Sequence, residues 1–319
     1  MRFRVADYFA GLGGVTLGAH RSGAVVVRAI NHWDEAVKAH ADNHPEVPHS
    51  CEDLTRFDPS RLEDFDCLAA GPACQGHSVA GGSTHRKRRK VKRTGPELAA
   101  HWDASRATAW SVIDCLEVRR PPAAMIENVP RFLKWALLPS WLTALAALGY
   151  RYRVNVCDTS LWGLPQERDR VVITALYGRE APAVEPPRSV TLATARDVID
   201  FDDGEWTLVR KKVEATRSRV ANGRRQFGRR FVMPYNGSGS GLTGRSLDRP
   251  IGTITAADRW GVVDGERMRM LTARESLVFQ GFPPGYKVPA RRDVWTELTG
   301  NAMPPVLAAA GVRALREAA

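Results

Sequence analysis

Asp7-Tyr8-Phe9-Ala10-Gly11-Leu12-Gly13-Gly14 joins an apolar, β-rich run at 4–9 to a helical pattern at 15–20. Closely spaced glycines let a chain turn sharply from strand into helix and let a ligand approach the backbone without meeting a Cβ. Such a turn also serves as a plain connection in many α/β folds. Its surroundings are more informative. Further β-rich runs at 24–30, 67–70, 123–126, 152–157 and 171–176 alternate with helical stretches such as 99–118. That alternation predicts an α/β fold built on a doubly wound, Rossmann-like sheet. Ligands of such sheets gather beyond the carboxyl ends of the strands, so polar residues just past each run are the first candidates for chemistry.

A Pro- and Ala-rich break at 179–187 ends the alternating pattern, and the stretch to about 270 is dominated by Arg, Gly and isolated aromatics. The predicted organisation is a ligand-binding domain at 1–179, a second, smaller domain at 180–270, and a segment at 271–319 that returns to the first domain, with helices at 273–279 and 304–317. No internal repeat is visible. The chain has 319 residues, 44% hydrophobic and 25% charged, an ordinary globular mixture. Its 46 Lys and Arg against 35 Asp and Glu give +11, which points to a polyanionic partner. The excess is local: residues 86–93 carry seven cationic side chains and no acidic one, and 206–247 carry ten against one, so the remainder is net negative. No apolar run approaches the roughly 20 residues of a membrane span, and residues 1–10 lack the blocks of a secretory signal. A cytoplasmic protein is expected.

Five cysteines, odd in number and without a Cys-x-x-Cys pair, suggest neither a disulfide framework nor a zinc site. Cys67, Cys115 and Cys157 fall in apolar or helical runs and read as small buried hydrophobes. Cys74 differs, because Gly71-Pro72-Ala73-Cys74-Gln75-Gly76 follows a buried strand and a loop can present an activated thiolate. Three more clusters fall at the same predicted crevice. Glu127-Asn128-Val129 ends one strand, where a carboxyl group either caps the next helix or shares a proton. Gln166-Glu167-Arg168-Asp169-Arg170 leads into another, with alternation pointing Arg168 and Arg170 to one side; surface salt bridges are the alternative. Gly300-Asn301-Ala302-Met303-Pro304-Pro305 precedes a Pro-started helix. About 20 residues beyond the first turn, where dinucleotide folds place an acid on the ribose, stands Asn31-His32-Trp33-Asp34. Asp53 follows the next strand and is placed to accept from an adenine amino group.

In this order the segments resemble the DNA cytosine-5 methyltransferase family. The likeness rests on Phe-Ala-Gly-x-Gly-Gly at 9–14, Pro-x-Cys-Gln at 72–75, Glu-Asn-Val at 127–129 and Gln-x-Arg-x-Arg at 166–170. It continues with Arg249-Pro250-Ile251-Gly252-Thr253-Ile254-Thr255, Leu271-Thr272-x-Arg274-Glu275, Gln280-Gly281-Phe282-Pro283 and Gly-Asn-Ala-x-Pro-Pro at 300–305. The resemblance implies an enzyme that flips a cytosine out of double-stranded DNA, adds the Cys74 thiolate to carbon 6, and transfers a methyl group from S-adenosylmethionine to carbon 5. Gln75 flanks the thiol, Glu127 would hold the ring nitrogen and exocyclic amine, and Arg170, supported by Arg168, the ring oxygen. No metal is required.

Phe9, Gly11, Gly13, His32, Trp33, Asp53, Asn301 and Ala302 would surround the cofactor, which leaves as S-adenosyl-L-homocysteine. The smaller domain would be a target recognition domain, with Arg224, Arg225, Arg229 and Arg230 on DNA, joined by Arg86, Lys87, Arg88, Arg89 and Lys90 of a loop that closes over it. A monomer in a prokaryote or its virus is implied, with a restriction endonuclease as a candidate partner and no membrane. The chain departs from the family pattern at Ala73, usually Pro, which is expected to loosen the backbone slightly. It departs again at His32, usually acidic, because an imidazole offers the ribose one acceptor where a carboxylate offers two oxygens. Asp34 is the nearest acidic substitute. A non-catalytic DNA-binding relative, and the same fold acting on tRNA or with a modified sulfonium cofactor, are the rival readings.

Overall fold

A computed structural model describes residues 2–73, 108–235, 244–257 and 259–319. The chain divides into two compact units, the first made of Met1–Cys157, Asp169–Pro186 and Ala302–Ala319, the second of Asp158–Arg168 and Pro187–Asn301.

The first unit is built on a seven-stranded sheet in the order β3-β2-β1-β4-β5-β8-β6. Its strands are β1 (Arg4–Tyr8), β2 (Val25–Asn31), β3 (His49–Cys51), β4 (Cys67–Ala70), β5 (Ala123–Asn128), β6 (Tyr150–Asp158) and β8 (Asp169–Tyr177). From β3 to β5 every pairing is parallel, and β8 runs antiparallel to β5. This is the doubly wound arrangement that the alternating runs predict, with the order of strands switching sides between β1 and β4, where such sheets bind ligands. Between strands lie α1 (Gly14–Arg21), α2 (Asp34–Asn43), α3 (Trp110–Arg119) and α4 (Leu138–Ala147). One core joins Tyr8, Leu68, Ile126 and Ile173 of the sheet to Val112, Leu116, Trp141 and Leu145 of the helices. Elsewhere α1 meets the last helix, α8 (Pro305–Ala318), so closely that a Cβ on Gly18 would lie 2.5 Å from the Cβ of Ala308. Any larger residue there would push the two helices apart.

The second unit has an antiparallel sheet in the order β10-β12-β13-β9, from β9 (Thr207–Leu208), β10 (Arg230–Pro234), β12 (Trp260–Asp264) and β13 (Arg267–Met270). Helix α5 (Glu214–Phe227) packs on it, with Gly223 against the Phe231 ring. Two-residue strands β7 (Gln166–Glu167) and β11 (Ile251–Gly252) pair in parallel. Helix α6 (Ala273–Phe279) opens with a capping box between Thr272 and Glu275, and α7 (Arg292–Asn301) ends the unit.

The division differs from the expected boundaries in two places. Residues 158–168 join the second unit because β7 pairs with β11. Residues 271–301 stay there because Leu271 and Phe279 belong to its core, so the returning segment starts at Ala302. The runs expected as strands at 4–9, 24–30, 67–70, 123–126, 152–157 and 171–176 coincide with β1, β2, β4, β5, β6 and β8. β3, three residues long, had no such run. Of the helical stretch expected at 99–118, residues 99–107 lie outside the described ones.

Candidate active site

β1, β4 and β5 end at one edge of the first sheet, and β8 begins there because Asn128 pairs with Val171. The glycine turn after β1, the residues after β4, Glu127 and Arg170 therefore share that edge. In the turn, Phe9, Gly11 and Gly13 all have positive φ, of 62°, 53° and 96°. For Phe9 this is a strained conformation, of the kind that clusters at ligand sites. A Cβ on Gly11 would meet only the Phe9 carbonyl oxygen, at 3.7 Å. Gly13 caps α1 without any side-chain hydrogen bond, its own N–H donating to the Ala10 carbonyl at 2.9 Å.

Trp33, His32 and Asp53 follow β2 and β3, the neighbouring strands of that sheet. Trp33 is half-buried at the start of α2, its indole N–H donating to Glu35 Oε2 at 2.8 Å. His32 before it is exposed. Asp34 accepts from Lys38 on the helix exterior at 2.6 Å, so it is already paired there. Asp53, exposed, accepts from the Thr55 backbone and hydroxyl, which hold its carboxyl below the usual range. Asn301 and Ala302 fall in different units: Asn301 ends α7 in the second, and Ala302 is buried in the first.

Glu127 and Arg170 form an ion pair, Oε1 to Nε at 2.8 Å, with side chains 12% and 9% exposed. Shielded from solvent, such a pair fixes both groups far better than a surface bridge does. Cys74 and Gln75 lie outside the described residues, as do 86–90, yet the approach to position 74 is tied down beside Glu127. Gly71 N–H donates to the Tyr8 carbonyl at 3.2 Å, and a Cβ on Gly71 would be 3.5 Å from Glu127 Oε2. Asn128 Nδ2 donates to the Pro72 carbonyl at 3.2 Å. The Ala73 N–H donates to Thr108 Oγ1 at 3.0 Å. A proline at 73 has no such N–H. The departure therefore does not loosen the backbone but exchanges ring rigidity for a tether. Separations of 35 and 56 residues leave the Thr108 and Asn128 tethers without a local signal in the sequence.

Arg168 falls between β7 and β8, where strand alternation breaks as the chain changes unit. Buried in the second unit, its guanidinium donates to the carbonyls of Ile254 and, at 2.7 Å, Gly300. Gln166 is likewise internal, accepting from Ile254 N–H at 2.6 Å and donating to Gln280 Oε1 at 3.0 Å. Glu275 pairs with Arg269, both buried. These motif residues hold the second unit together.

Beneath the glycine turn a buried polar chain starts at Asp7. Its Oδ2 accepts from the Thr16 hydroxyl at 2.9 Å, and burial pushes the carboxyl up to about 7. His40, held neutral by burial with a pKa near 2, lies with Nε2 3.0 Å from that hydroxyl and Nδ1 2.7 Å from His49 Nε2. A hydroxyl that gives its one hydrogen to Asp7 accepts from His40, which in turn accepts from His49. Among the thiols, Cys67, Cys115 and Cys157 are buried, and burial pushes Cys115 up to about 12 and Cys157 to about 11. Cys51 is exposed on β3.

The four arginines expected on DNA belong to the second unit, and each also has a protein partner. Arg229 and Arg230 flank the buried Asp264 at 2.7 and 3.4 Å. Arg224 meets Glu266 at 2.6 Å, and Arg225 bonds Asn222. Arg230 also stacks on Phe201, 4.2 Å from the ring centre.

A family model described as C-5 cytosine-specific DNA methylase matches residues 3–317. The type II methyltransferase M.NgoBI of Neisseria gonorrhoeae is 28% identical over 316 residues, covering 94% of this chain and 89% of its own. M.MthTI of Methanothermobacter thermautotrophicus, also a type II methyltransferase, is 26% identical over 337 residues and covers 97% and 95%. Among solved structures, the Dnmt2 methyltransferase of S. pombe superposes with a TM-score of 0.69 at 16% identity, covering 100% of this chain and 99% of the other. The methyltransferase EhMeth of Entamoeba histolytica gives 0.64 at 16% identity, with the same coverage. At that identity the two structures establish a shared fold.

Proposed function

The chain belongs to the C-5 cytosine-specific DNA methylase family, and on that premise we propose that it methylates carbon 5 of a cytosine flipped out of double-stranded DNA, using S-adenosylmethionine. The observation that carries this reading is the shielded Glu127–Arg170 pair beside the anchored approach to Cys74. S-adenosylmethionine, when bound, supplies the electrophilic methyl group that carbon 5 receives, and leaves as S-adenosyl-L-homocysteine. The turn at 9–14 fits it, because the glycines leave no Cβ atoms in the way of its polar end and the turn opens a helix N-terminus. Trp33 and Asp53 offer a face and an acceptor to its adenine, and His32 takes the position beside the ribose. Asn301 and Ala302 complete the set.

The chemistry of the chain's own residues is then specific. The Cys74 thiolate adds to carbon 6, and the electron pair of the broken double bond makes carbon 5 nucleophilic. Gln75 flanks the thiol. Glu127 hydrogen-bonds the ring nitrogen and the exocyclic amine, and Arg170 orients Glu127 and presents its remaining N–H groups to the ring oxygen. Fixed donors of this kind are worth roughly 3 to 4 kcal/mol each. Loss of the carbon 5 proton restores the double bond and expels the thiolate. Arg168 supports this arrangement through its buried bonds to the Ile254 and Gly300 carbonyls.

Residues 86–90 and the arginines 224, 225, 229 and 230 engage the phosphates, so binding weakens steeply with salt. The second unit serves as the target recognition domain. A cytoplasmic monomer is the expected form; among the described residues no helix is long and apolar enough to cross a membrane. The type II relatives make a restriction endonuclease a natural partner.

Trapping on duplex DNA containing 5-fluorocytosine tests the mechanism. A covalent adduct that needs both S-adenosylmethionine and Cys74 supports it, and absence of the adduct would favour a binding module. Bisulfite sequencing of a plasmid carried by cells making the protein reads activity and target site together. Nucleoside mass spectrometry that finds 5-methylcytosine only in RNA would overturn the DNA assignment.

A further inference from the structure

A second group of chemically capable side chains lies away from the methyl-transfer edge. α1 leaves that edge at Gly14 and runs eight residues, about 12 Å, to its last turn, which carries His20. There it meets His44, at the end of α2, and Glu46, in the loop before β3. One donor atom from each of the three lies within 4.8 Å of the others. Glu46 Oε1 is 3.7 Å from His20 Nδ1 and 3.8 Å from His44 Nδ1.

These distances and residue types suit a particular kind of ligand. A tetrahedral ion with metal–ligand bonds of about 2.0–2.2 Å separates its ligands by about 3.3–3.5 Å. Two of the three edges are already within about half an ångström of that. The side chains of Glu46 and His20 are 57% and 32% exposed, so both have room to close the third. The His44 side chain, 5% exposed, is the fixed member. Its ring packs 5.0 Å from that of His40, which Thr16 and His49 hold in turn. Two imidazoles and one carboxylate, one ligand anchored by a supporting layer and two adjustable at the surface, form a set that zinc uses with a water in the fourth place.

We propose that His20, His44 and Glu46 bind one divalent transition-metal ion of the zinc class, at a site that clips the ends of α1 and α2 to the start of β3. The site is independent of methyl transfer, so its test needs no substrate. The full chain, stripped with chelator and free of any histidine tag, is titrated with Co2+ and followed by the visible absorption of tetrahedral cobalt. One equivalent should bind and be displaced by Zn2+, and Zn2+ should raise the melting temperature. His20→Ala and Glu46→Gln alter surface positions and leave the fold intact by circular dichroism. Each should weaken Co2+ binding at least about tenfold and abolish the Zn2+ shift in melting. Failure of the wild-type chain to bind one equivalent overturns the assignment, as does wild-type affinity in either variant, which would place the ion on other donors such as His32 and Cys51.

Discussion

Asp7 in the first unit and Asp264 in the second are both buried carboxylates, yet their protons are held in opposite senses. Asp7 has the Thr16 hydroxyl beside it, and burial prevails, lifting it to about 7. For Asp264 burial pushes in the same direction, but hydrogen bonds from Arg229, Arg267 and Arg230 outweigh it and bring the carboxyl down to about 2. Neighbours decide whether a buried acid is charged. The first unit carries a polar chain of neutral groups under its ligand turn. The second gathers three guanidinium groups around one carboxylate, which leaves a local positive excess on the unit proposed to read DNA.

The largest effect expected from breaking this contrast is at Asp7. A carboxyl raised above its unfolded value stabilises the fold at low pH and loses that contribution as pH rises from about 4 through about 7. A shift of this size corresponds to roughly 4 kcal/mol. Asp7→Asn should flatten that part of the profile, read as the difference between variant and wild-type urea-unfolding stabilities from pH 4 to 8. An unchanged difference across that range would mean that Asp7 is charged in the fold. Next comes Glu127→Gln, which keeps the shape and removes the charge that faces Arg170. Methyl transfer should fall about 100- to 1,000-fold with DNA affinity little altered in a filter-binding assay.

At Asp264 the sign reverses. A lowered carboxyl stabilises the fold above about pH 4 and loses that contribution as pH falls toward about 2. Asp264→Asn should cost roughly 2 kcal/mol at pH 7, the partners' own exposure limiting the loss, and the variant should show less acid sensitivity than wild type. The smallest effect is at Thr108→Val, which unties the Ala73 N–H. Loss of one such bond, about 1 kcal/mol, should lower kcat about fivefold and leave the KM for S-adenosylmethionine in place. A shift in KM alone would show that Thr108 serves the cofactor instead.

What could be seen in the sequence was what local pattern encodes. The turn at 9–14 and the strands around it follow from glycine spacing and apolar runs, and Glu127 and Arg170 follow from standing at strand ends. Arg168 and Arg170 read as one face because periodicity assumes one continuous strand, whereas the backbone leaves one sheet and enters another between 168 and 169. The boundaries at 158–168 and 271–301 depend on pairing and packing over about a hundred residues. Asp7, Thr16 and His40 looked like ordinary members of their elements, since a buried polar chain leaves no period. The His20, His44 and Glu46 group has no motif spacing either, because two helix ends and a loop assemble it.

The contact of Gly18 with Ala308 also has a temporal side. A ribosome releases α1 near the start of synthesis and α8 only after the whole of the second unit. Both segments of the second unit lie in the sequence between the two partners of that contact, so α1 stays uncovered until residues 302–319 are made. Until then α1 keeps an open flank of small residues, a place where a partly made chain is exposed to aggregation at the helix that follows its glycine turn.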